Sequence, residues 1–428
     1  MSRFPFASNA ERLVYRIAGL PVAVSALFTL AGGDESDALR SAFAQRYWHP
    51  DGVAEFSELL GALVTWPFAV LLASAWFTFR NGTVIRRRYS KSLPAQFKDQ
   101  LKLYFSAGVL PPWYYIFSLH EDGARRSATF LQRFETKSCY FRVLKQRKGS
   151  PLNHKCDFAN FCVEHGVRCV ETLMHLDGEY PEQPLPERDL FVKPCAGRGG
   201  RGAERWDWIG PSRFAGAEGA QLGGKELLDR LVARSGRESL IVQPRLLPHR
   251  ALRKITAGAL PTARILTCLN LDKRPEVMAA MLRTSFGSNV TVDNLHAGGI
   301  GALIDLETGK LSKSSNLGSD SQLGWFSAHP DTGAPIEGET VPCWEEAKAL
   351  AVAAHRQFND RVVVGWDIAI LEDGPILVEG NGNPDLDILQ RFMPIGLRKH
   401  RFAELIAFHL RDRTPRISKH LCAEAIGS

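Results

Sequence analysis

The distribution of apolar and polar residues divides the chain into an N-terminal helical part and a longer part made of short strands and helices. From Leu59 to Phe79 the sequence LLGALVTWPFAVLLASAWFTF contains no charged residue. A helix of this length can cross a hydrocarbon core of about 30 Å. A second uncharged run, Ile17 to Gly33, is shorter and richer in Ala and Gly. The two runs predict a helical hairpin that anchors the chain in a membrane, with the second run as its stronger half.

Charged residues flank the two runs asymmetrically. The first run is preceded by Arg3, Arg12 and Arg16, and the two runs are separated by Asp34, Glu35 and Asp37. The second run is followed by Arg80, Arg86, Arg87 and Arg88. Because positive flanks stay on the cytoplasmic side, both ends of the hairpin and the remainder of the chain are predicted to be cytoplasmic. A pair of buried helices in a soluble domain is the alternative interpretation.

Downstream of Ser150 the apolar segments become short and rich in β-branched residues. This pattern predicts strands around Lys193 and at 204–208, 239–244, 262–269 and 300–305, with helices at 225–233, 344–359 and 396–410. The chain therefore contains a mixed α and β domain, and its 428 residues are enough for two or three domains.

Residues 361–385, RVVVGWDIAILEDGPILVEGNGNPD, predict a β-hairpin with three polar side chains in unusual positions. Asp367 lies within the first strand, and Glu379 and Asn381 lie at the end of the second. A three-residue turn, Asp373 to Pro375, would place all three on one face, whereas a two-residue turn would point Asp367 away. Oxygen ligands on one face suit Mg²⁺. The three-residue turn and a Mg²⁺ site are therefore predicted; acids at solvated strand ends are the alternative.

Composition and charge narrow the classes of partner. The net charge of +7 is local, since residues 80–150 carry fifteen Lys and Arg against four Asp and Glu. Interleaved with Trp113, Tyr114, Tyr115 and Phe117, these cations predict a belt against anionic lipid. A nucleic-acid surface is the less favoured interpretation, and no nucleic-acid partner is expected. The eight cysteines are scattered without metal-ligand spacing and are expected to be reduced thiols.

Two lysines and a glycine-rich loop predict a site for phosphate. Lys193 ends a strand that leads into a loop containing Gly197, Gly199, Gly200 and Gly202. Glycines let backbone N–H groups approach an oxyanion, and a lysine supplies a point charge. Lys155 lies in the first turn of a predicted helix, where a bound anion would explain a cation. A plain glycine hairpin and a solvated lysine are the alternatives.

Further polar residues lie at strand ends along the same region. Arg264, within the predicted strand 262–269, needs an anionic partner, either a carboxylate or a ligand phosphate. The strand that includes Ile241, Val242 and Gln243 has the form of a hinge whose backbone could meet a purine edge. A turn before the strand at 300–305 carries the substrate candidates Asn294, His296, Gly298 and Gly299, with a structural role for the histidine as the alternative.

Taken in order, these motifs resemble the ATP-grasp superfamily. The segments VKPCAGRGGRG, TARILT, HAGGIGALID and GWDIAILEDGPILVEGNGNPD are most similar to the sugar-transfer associated ATP-grasp family, over roughly Ser150 to His409. The resemblance implies an α+β fold, a two-lobed clamp of antiparallel sheets around ATP and Mg²⁺. It also implies roles for residues: Lys155 and Lys193 on phosphates, the 197–202 loop above them, Ile241 to Gln243 beside adenine, Arg264 at the γ-phosphate, and Asp367, Glu379 and Asn381 on Mg²⁺.

The predicted organisation is a helical hairpin at 1–89, a basic aromatic region at 90–150, a catalytic domain at 151–413 and a tail at 414–428. The predicted activity is that of a ligase, which phosphorylates a carboxylate to an acylphosphate for attack by an amine. Its substrates are expected to be small or glycan-linked, with a role in cell-surface polysaccharide synthesis and a glycosyltransferase as a partner. A kinase of a sugar or lipid hydroxyl, and a non-catalytic nucleotide-sensing scaffold, are the alternatives.

Overall fold

The computed structural model describes residues 8–26, 35–144, 150–197, 200–287, 291–295, 298–318 and 324–412. These residues form two compact units. A helical unit contains the described residues up to 144, residues 318 and 324, and those from 385 onward. A two-sheet unit contains residues 150–317 and 325–384, as far as they are described.

The helical unit is built around one long helix. Its helices up to residue 144 are α1 (Ser8–Ala26), α2 (Glu35–Trp48), α3 (Val53–Tyr89), α4 (Leu93–Ala107), α5 (Pro111–Ile116), α6 (Leu119–Ser127), α7 (Arg133–Glu135) and α8 (Phe141–Leu144). Helix α3 starts after Gly52, whose φ of 86° favours glycine, and ends at Ser90 in the left-handed region. Ser92 then caps α4 by accepting a hydrogen bond from the backbone N–H of Ala95.

The predicted apolar hairpin is only partly borne out as helix. Among the described helices, α3 alone has the length and composition to cross a membrane, and 22% of its most apolar stretch is buried. Helix α1 contains the start of the first run, where residues 17–20, 22 and 23 are buried, while residues 27–34 of that run lie outside the described residues. The expected aromatic belt is wrong, because Tyr114, Tyr115 and Phe117 are at most 1% exposed. These rings form the core of the unit instead.

The N-terminal sheet of the two-sheet unit is antiparallel, in the order β1-β6-β2-β3-β4-β5. Its strands are β1 (Met174–Leu176), β2 (Leu190–Pro194), β3 (Glu204–Gly210), β4 (Arg213–Gly216), β5 (Gln221–Gly223) and β6 (Leu240–Pro244). One face packs on α10 (Gly224–Ser235), where Leu227 and Leu231 meet Val192 and Val242 in one apolar cluster. Helix α9 (Lys155–Glu164) precedes the sheet.

The C-terminal sheet is also antiparallel, in the order β10-β9-β8-β7-β11-β12. After the short helix α11 (Arg250–Arg253), its strands are β7 (Thr262–Leu269), β8 (Pro275–Thr284), β9 (Ile300–Ile304), β10 (Leu311–Ser315), β11 (Val363–Leu371) and β12 (Gly374–Asn381). Helix α12 (Trp344–Gln357) covers one face, with Ala347 and Ala351 packed in a cluster that includes Ile265, Trp366 and Ile368. Side chains alternate between faces, so Arg264 and Asp367 lie on the opposite face.

The hairpin of β11 and β12 has a different turn from the predicted one. Leu371 pairs with Gly374, so the turn contains two residues and the three-residue turn is wrong. A β-bulge at Val378 then restores the alternation, because Ile368 pairs with Leu377 but Asp367 pairs with Glu379. Asn381 pairs with Gly365, two residues before Asp367. The three oxygen ligands therefore share one face, through a bulge instead of through the turn.

The last described elements return to the helical unit. They are α13 (Leu386–Phe392) and a helix over residues 401–412. The clustering of residues 385–412 with the helical unit differs from the predicted limit of the catalytic domain at 413. The predicted tail, 414–428, lies outside the described residues.

Candidate active site

The polar face of the C-terminal sheet gathers the predicted metal ligands. Asp367 is 6% exposed, and Glu379 and Asn381 are half-buried on the neighbouring strand. Gly365, opposite Asn381, lets Pro384 pack closely against this face, since a Cβ on Gly365 would lie 2.8 Å from Pro384 and 3.4 Å from Arg264. Two carboxylates and one amide therefore offer oxygen atoms from adjacent strands.

Asp367 is held by two arginines. Arg264 of β7 donates from Nε to Oδ1 and from Nη2 to Oδ2, the latter at 3.0 Å. Arg283 of β8 places its Nη2 3.0 Å from the same Oδ2. Burial alone would raise the pKa of Asp367, but the two guanidinium groups outweigh burial and hold its pKa below the usual range. The anionic partner that Arg264 required is thus a carboxylate of the protein.

A buried network missed by the sequence reasoning extends this pair. Arg283 donates to Thr262 Oγ1 at 2.6 Å, and the Thr262 hydroxyl donates to Asp293. Burial raises the pKa of Asp293, against the opposing effect of Arg283. A charged residue near the end of an apolar strand was the signal in the sequence that could have indicated Arg283. Arg283 pairs with Thr262, two residues from Arg264, so the period of two places both arginines on one face.

Lys155 and Lys193 reach this cleft from the N-terminal half of the two-sheet unit. Lys155 donates from Nζ to the carbonyl of Gly197 at 3.0 Å and lies 4.0 Å from Glu379 Oε1. Lys193 is 8% exposed, and no acceptor among the described residues lies within hydrogen-bonding distance of its ammonium group. Burial lowers the pKa of Lys193 to about 8, although Glu379 and Asp367 act in the opposite direction.

The glycine-rich loop is described at Gly197, Gly200 and Gly202, while Gly199 lies outside the described residues. All three have positive φ, from 71° to 114°. A Cβ on Gly200 would lie 2.6 Å from the side chain of Val292, so this part of the loop rests against the segment that precedes β9. Glycine is required here for both backbone conformation and close approach.

The predicted hinge has two different faces. Ile241 pairs with Lys193, and Gln243 pairs with Phe191, so these side chains lie on the face that carries Lys193. Val242 points into the core beneath α10. Gln243 is buried and donates to the carbonyl of Val170 at 3.5 Å. Ile241 and Gln243 can line a pocket with their side chains, whereas Val242 can contribute only its backbone.

The predicted substrate turn lies next to the arginine network. Gly299 donates to the carbonyl of Asn294 at 3.0 Å, and a Cβ on Gly299 would lie 2.5 Å from the carbonyl oxygen of Asp293. Gly298 has a φ of 97°. His296 lies outside the described residues. The described part of this turn is thereby fixed beside Asp293, whose side chain reaches Thr262.

A disulfide links the two lysine-bearing segments. Cys156, next to Lys155, is bonded to Cys195, two residues after Lys193, with a Cα–Cα distance of 5.7 Å. The backbone N–H of Lys155 also donates to the carbonyl of Cys195 at 2.8 Å. The expectation that all the cysteines are free thiols is wrong for this pair. The first turn of α9 and the start of the glycine loop are consequently tied together.

The charge balance and donor types fit a metal-bound polyphosphate. The cations Lys155, Lys193, Arg264 and Arg283 face the acids Asp293, Asp367 and Glu379. The Lys193 ammonium lacks an acceptor among the described residues, whereas Arg283 Nε lies 3.5 Å from Asp293 Oδ2. Phosphate oxygens are suitable partners for Lys193, and Asp367, Glu379 and Asn381 are suitable oxygen ligands for Mg²⁺.

Two antiparallel sheets that bring lysines, a glycine loop and carboxylates to one cleft define an ATP-grasp type of enzyme. The model of the sugar-transfer associated ATP-grasp family matches residues 140–403, more than half of the chain. The chain belongs to this family. The prediction of the family is thereby confirmed. A comparison of the sequence with curated proteins found no significant match.

Solved structures similar to the chain include a synthetase, a ligase and a biotin carboxylase domain. D-alanyl-alanine synthetase A from Vibrio cholerae is 10% identical, with 61% of this chain and 65% of that chain covered and a TM-score of 0.36. The D-alanine-D-alanine ligase of Coxiella burnetii is 10% identical, with 64% of this chain and 62% of that chain covered and a TM-score of 0.34. The biotin carboxylase domain of Hydrogenobacter thermophilus 2-oxoglutarate carboxylase was solved in complex with MgADP, ADP and bicarbonate. It is 12% identical, with 61% of this chain and 45% of that chain covered and a TM-score of 0.33.

The chain spans less than two thirds of the length of each of these three proteins. The predicted cofactors, ATP and Mg²⁺, agree with the family to which the chain belongs.

Proposed function

We propose that this protein is an ATP- and Mg²⁺-dependent ligase that activates a carboxylate as an acylphosphate for attack by an amine. The observation that carries the proposal is the convergence of two lysines and two arginines on three oxygen ligands within the two-sheet unit. Phosphoryl transfer depends mainly on positioned cations and an aligned acceptor, and this cleft supplies the cations.

Each residue has a distinct part in this scheme. Lys193 and Lys155 bind phosphate oxygens, and the backbone of the 197–202 loop covers them. Ile241 and Gln243 line the adenine side with their side chains. Mg²⁺ held by Asp367, Glu379 and Asn381 supplies charge neutralisation for the phosphates. These assignments are supported by the shared face of β11 and β12 and by the pairing of Lys193 with Ile241.

Arg264 must change partners when substrates bind, whereas Arg283 need not. Both Asp367 oxygens already accept hydrogen bonds from guanidinium groups. A carboxylate in this state has little remaining capacity for a metal ion. Arg264 is therefore assigned to the transferring phosphate, which releases one Asp367 oxygen for Mg²⁺. Arg283, fixed by Thr262, stays with Asp367 and faces Asp293.

The acceptor carboxylate is assigned to the segment around Asn294, Gly298 and Gly299. This segment borders Asp293 and, through Val292, the glycine loop. The family name connects the enzyme with sugar transfer, which supports a glycan-linked substrate and a role in cell-surface polysaccharide synthesis, beside a glycosyltransferase. Helix α3 supports attachment to a membrane, and the arginines around it support a cytoplasmic position of the two-sheet unit.

The test is a search for carboxylates that cause ADP release by the purified full-length protein with Mg²⁺ and hydroxylamine as the amine. Hydroxylamine converts an acylphosphate into a stable hydroxamate, whereas phosphorylation of a hydroxyl group gives a stable phosphate ester and no hydroxamate. Hydroxamate formation that Glu379→Gln abolishes is the expected result. ADP release with only a phosphate ester would identify a kinase. Nucleotide binding without turnover on any substrate class would favour the scaffold.

A further inference from the structure

Helix α3 exposes large apolar residues on one side, unlike a helix on the surface of a soluble protein. Its buried side carries the polar residues Glu55, Ser74, Thr78 and Asn81 among the apolar Leu59, Ala62, Val70 and Ile85. Its outward side carries a stripe of large apolar residues that includes Phe56, Leu60, Phe68, Leu72, Trp76 and Phe79. Phe68 and Phe79 are 70% and 78% exposed. A surface helix normally buries its apolar side, so the outward stripe requires an apolar environment.

The inward side is fixed by hydrogen bonds with α4. Gln100 donates from Nε2 to Thr78 Oγ1 at 2.7 Å, and Gln96 donates to the carbonyl of Gly82 at 3.0 Å. Trp66 stacks on Tyr104 with ring centroids 5.9 Å apart. These contacts settle the rotation of α3 about its axis. The outward stripe cannot turn inward without breaking buried hydrogen bonds.

Helix α4 also limits how deeply α3 can enter a bilayer. It runs antiparallel to α3 between Trp66 and Gly82, within the most apolar stretch, and its Lys98 and Lys102 are exposed. If α3 crossed the bilayer in this packing, both lysines would reach the hydrocarbon core. A charged side chain at that depth is disfavoured by its loss of hydration. The packing therefore disfavours a spanning orientation.

The length and the flanking charge fit an orientation along the surface. The stripe from Val53 to Phe79 is about 39 Å long at 1.5 Å per residue, longer than a hydrocarbon core of about 30 Å. The exposed residues Arg80, Arg86 and Arg87 continue α3 beyond its apolar part. Cations beside an apolar stripe complement anionic lipid headgroups.

We propose that α3 lies in one leaflet of the membrane, parallel to its surface, with the outward stripe among the lipid chains and Lys98, Lys102 and the arginines at the headgroups. This inference rests on the membrane attachment in the proposed function and replaces a spanning helix with a one-sided anchor. Both ends of α3 then remain on the cytoplasmic side of the membrane.

The first experiment labels single cysteines at the two ends of α3, Asp51→Cys just before the helix and Thr83→Cys after the apolar stripe, with a membrane-impermeant maleimide. Both positions are exposed, and the wild-type protein controls for its native thiols. Neither cysteine should react in intact cells, and both should react in inside-out vesicles. Reaction of Asp51→Cys from outside intact cells would establish a spanning helix, which would overturn this inference and leave the proposed ligase activity untouched.

The second experiment measures flotation with phosphatidylcholine vesicles, with and without phosphatidylglycerol. Wild type should float with the anionic vesicles, and Phe68→Glu with Leu72→Glu should abolish flotation while the melting shift caused by Mg-ATP persists. Leu271→Glu is the matched control, since Leu271 is an exposed leucine in the turn between β7 and β8, and it should float as wild type does. If wild type does not float, both this inference and the membrane attachment in the proposed function are refuted. ADP release tests the proposed ligase activity independently.

Discussion

Replacing Lys193 with Met should stabilise the nucleotide-free protein and weaken ATP binding at the same time. The ordinary pKa of the lysine is 10.5, and burial lowers the pKa of Lys193 to about 8. At about 1.36 kcal/mol for each tenfold change in proton affinity, this difference corresponds to roughly 3 kcal/mol of cost for keeping the buried charge. Met has a similar shape and no charge, so Lys193→Met removes the cost.

The pH dependence of this gain follows from the same values. In the unfolded chain the lysine keeps its proton up to about pH 10.5, whereas in the folded chain it loses the proton near pH 8. The unfolded state binds more protons between these values, so the stability of wild type rises with pH across that interval. The advantage of Lys193→Met should therefore be full below pH 8 and absent above about pH 10.5.

Chemical denaturation with and without Mg-ATP, from pH 7 to about pH 10, measures both effects. Wild type should bind ATP less tightly as the pH rises through 8, because its ammonium group loses the proton that phosphate requires. Lys225→Met is the control, since Lys225 is exposed at the start of α10, and it should change neither quantity. A Lys193→Met protein that is less stable than wild type without nucleotide, or that keeps the full stabilisation by Mg-ATP, would refute the reasoning.

Two further predictions concern the metal face. Asp367→Asn and Glu379→Gln should both abolish ADP release, but only Asp367→Asn should lower the free energy of unfolding, by about 3–5 kcal/mol, because it removes the buried carboxylate charge that Arg264 and Arg283 both contact. The Glu379 side chain is 32% exposed with Lys155 at 4.0 Å, so its loss should change stability by about 1 kcal/mol or less; equal losses in denaturant titrations would contradict this. Deletion of Val378 should keep ADP release within about tenfold of wild type, because it removes the bulge and leaves Glu379 opposite Asp367. Deletion of Gly380 should abolish ADP release, because it places Asn381 opposite Trp366. A Gly380 deletion that is more active than the Val378 deletion would exclude a purely geometric role for the bulge.

Several elements follow from local sequence alone. The strand at residues 262–269 has the predicted bounds, and the uncharged run Leu59 to Phe79 lies within one helix. Periodicity and chain length determine such elements because they depend on neighbouring residues. The family also follows from the order of motifs along the chain, since each motif is a local pattern.

Long-range pairing was beyond the reach of the sequence pattern. The partner of Arg264 could be a phosphate or a carboxylate, and the answer, Asp367, lies 103 residues away on the paired strand. The roles of Arg283 and Asp293 and the bond between Cys156 and Cys195 depend in the same way on which strands become neighbours. A residue pattern describes what a side chain requires and leaves open which residue provides it.

The sequence by itself determined that Asp367, Glu379 and Asn381 occur on two strands of a hairpin, and that a long apolar helix precedes the catalytic region. Only the tertiary structure decided which way those side chains point. A single bulge residue, Val378, changes the face of everything after it, because the strand period is two. Likewise, only the packing of α4 against Thr78 and Gly82 determined that α3 turns its apolar side outward. Orientation is set by contacts between distant segments, and composition alone does not encode it.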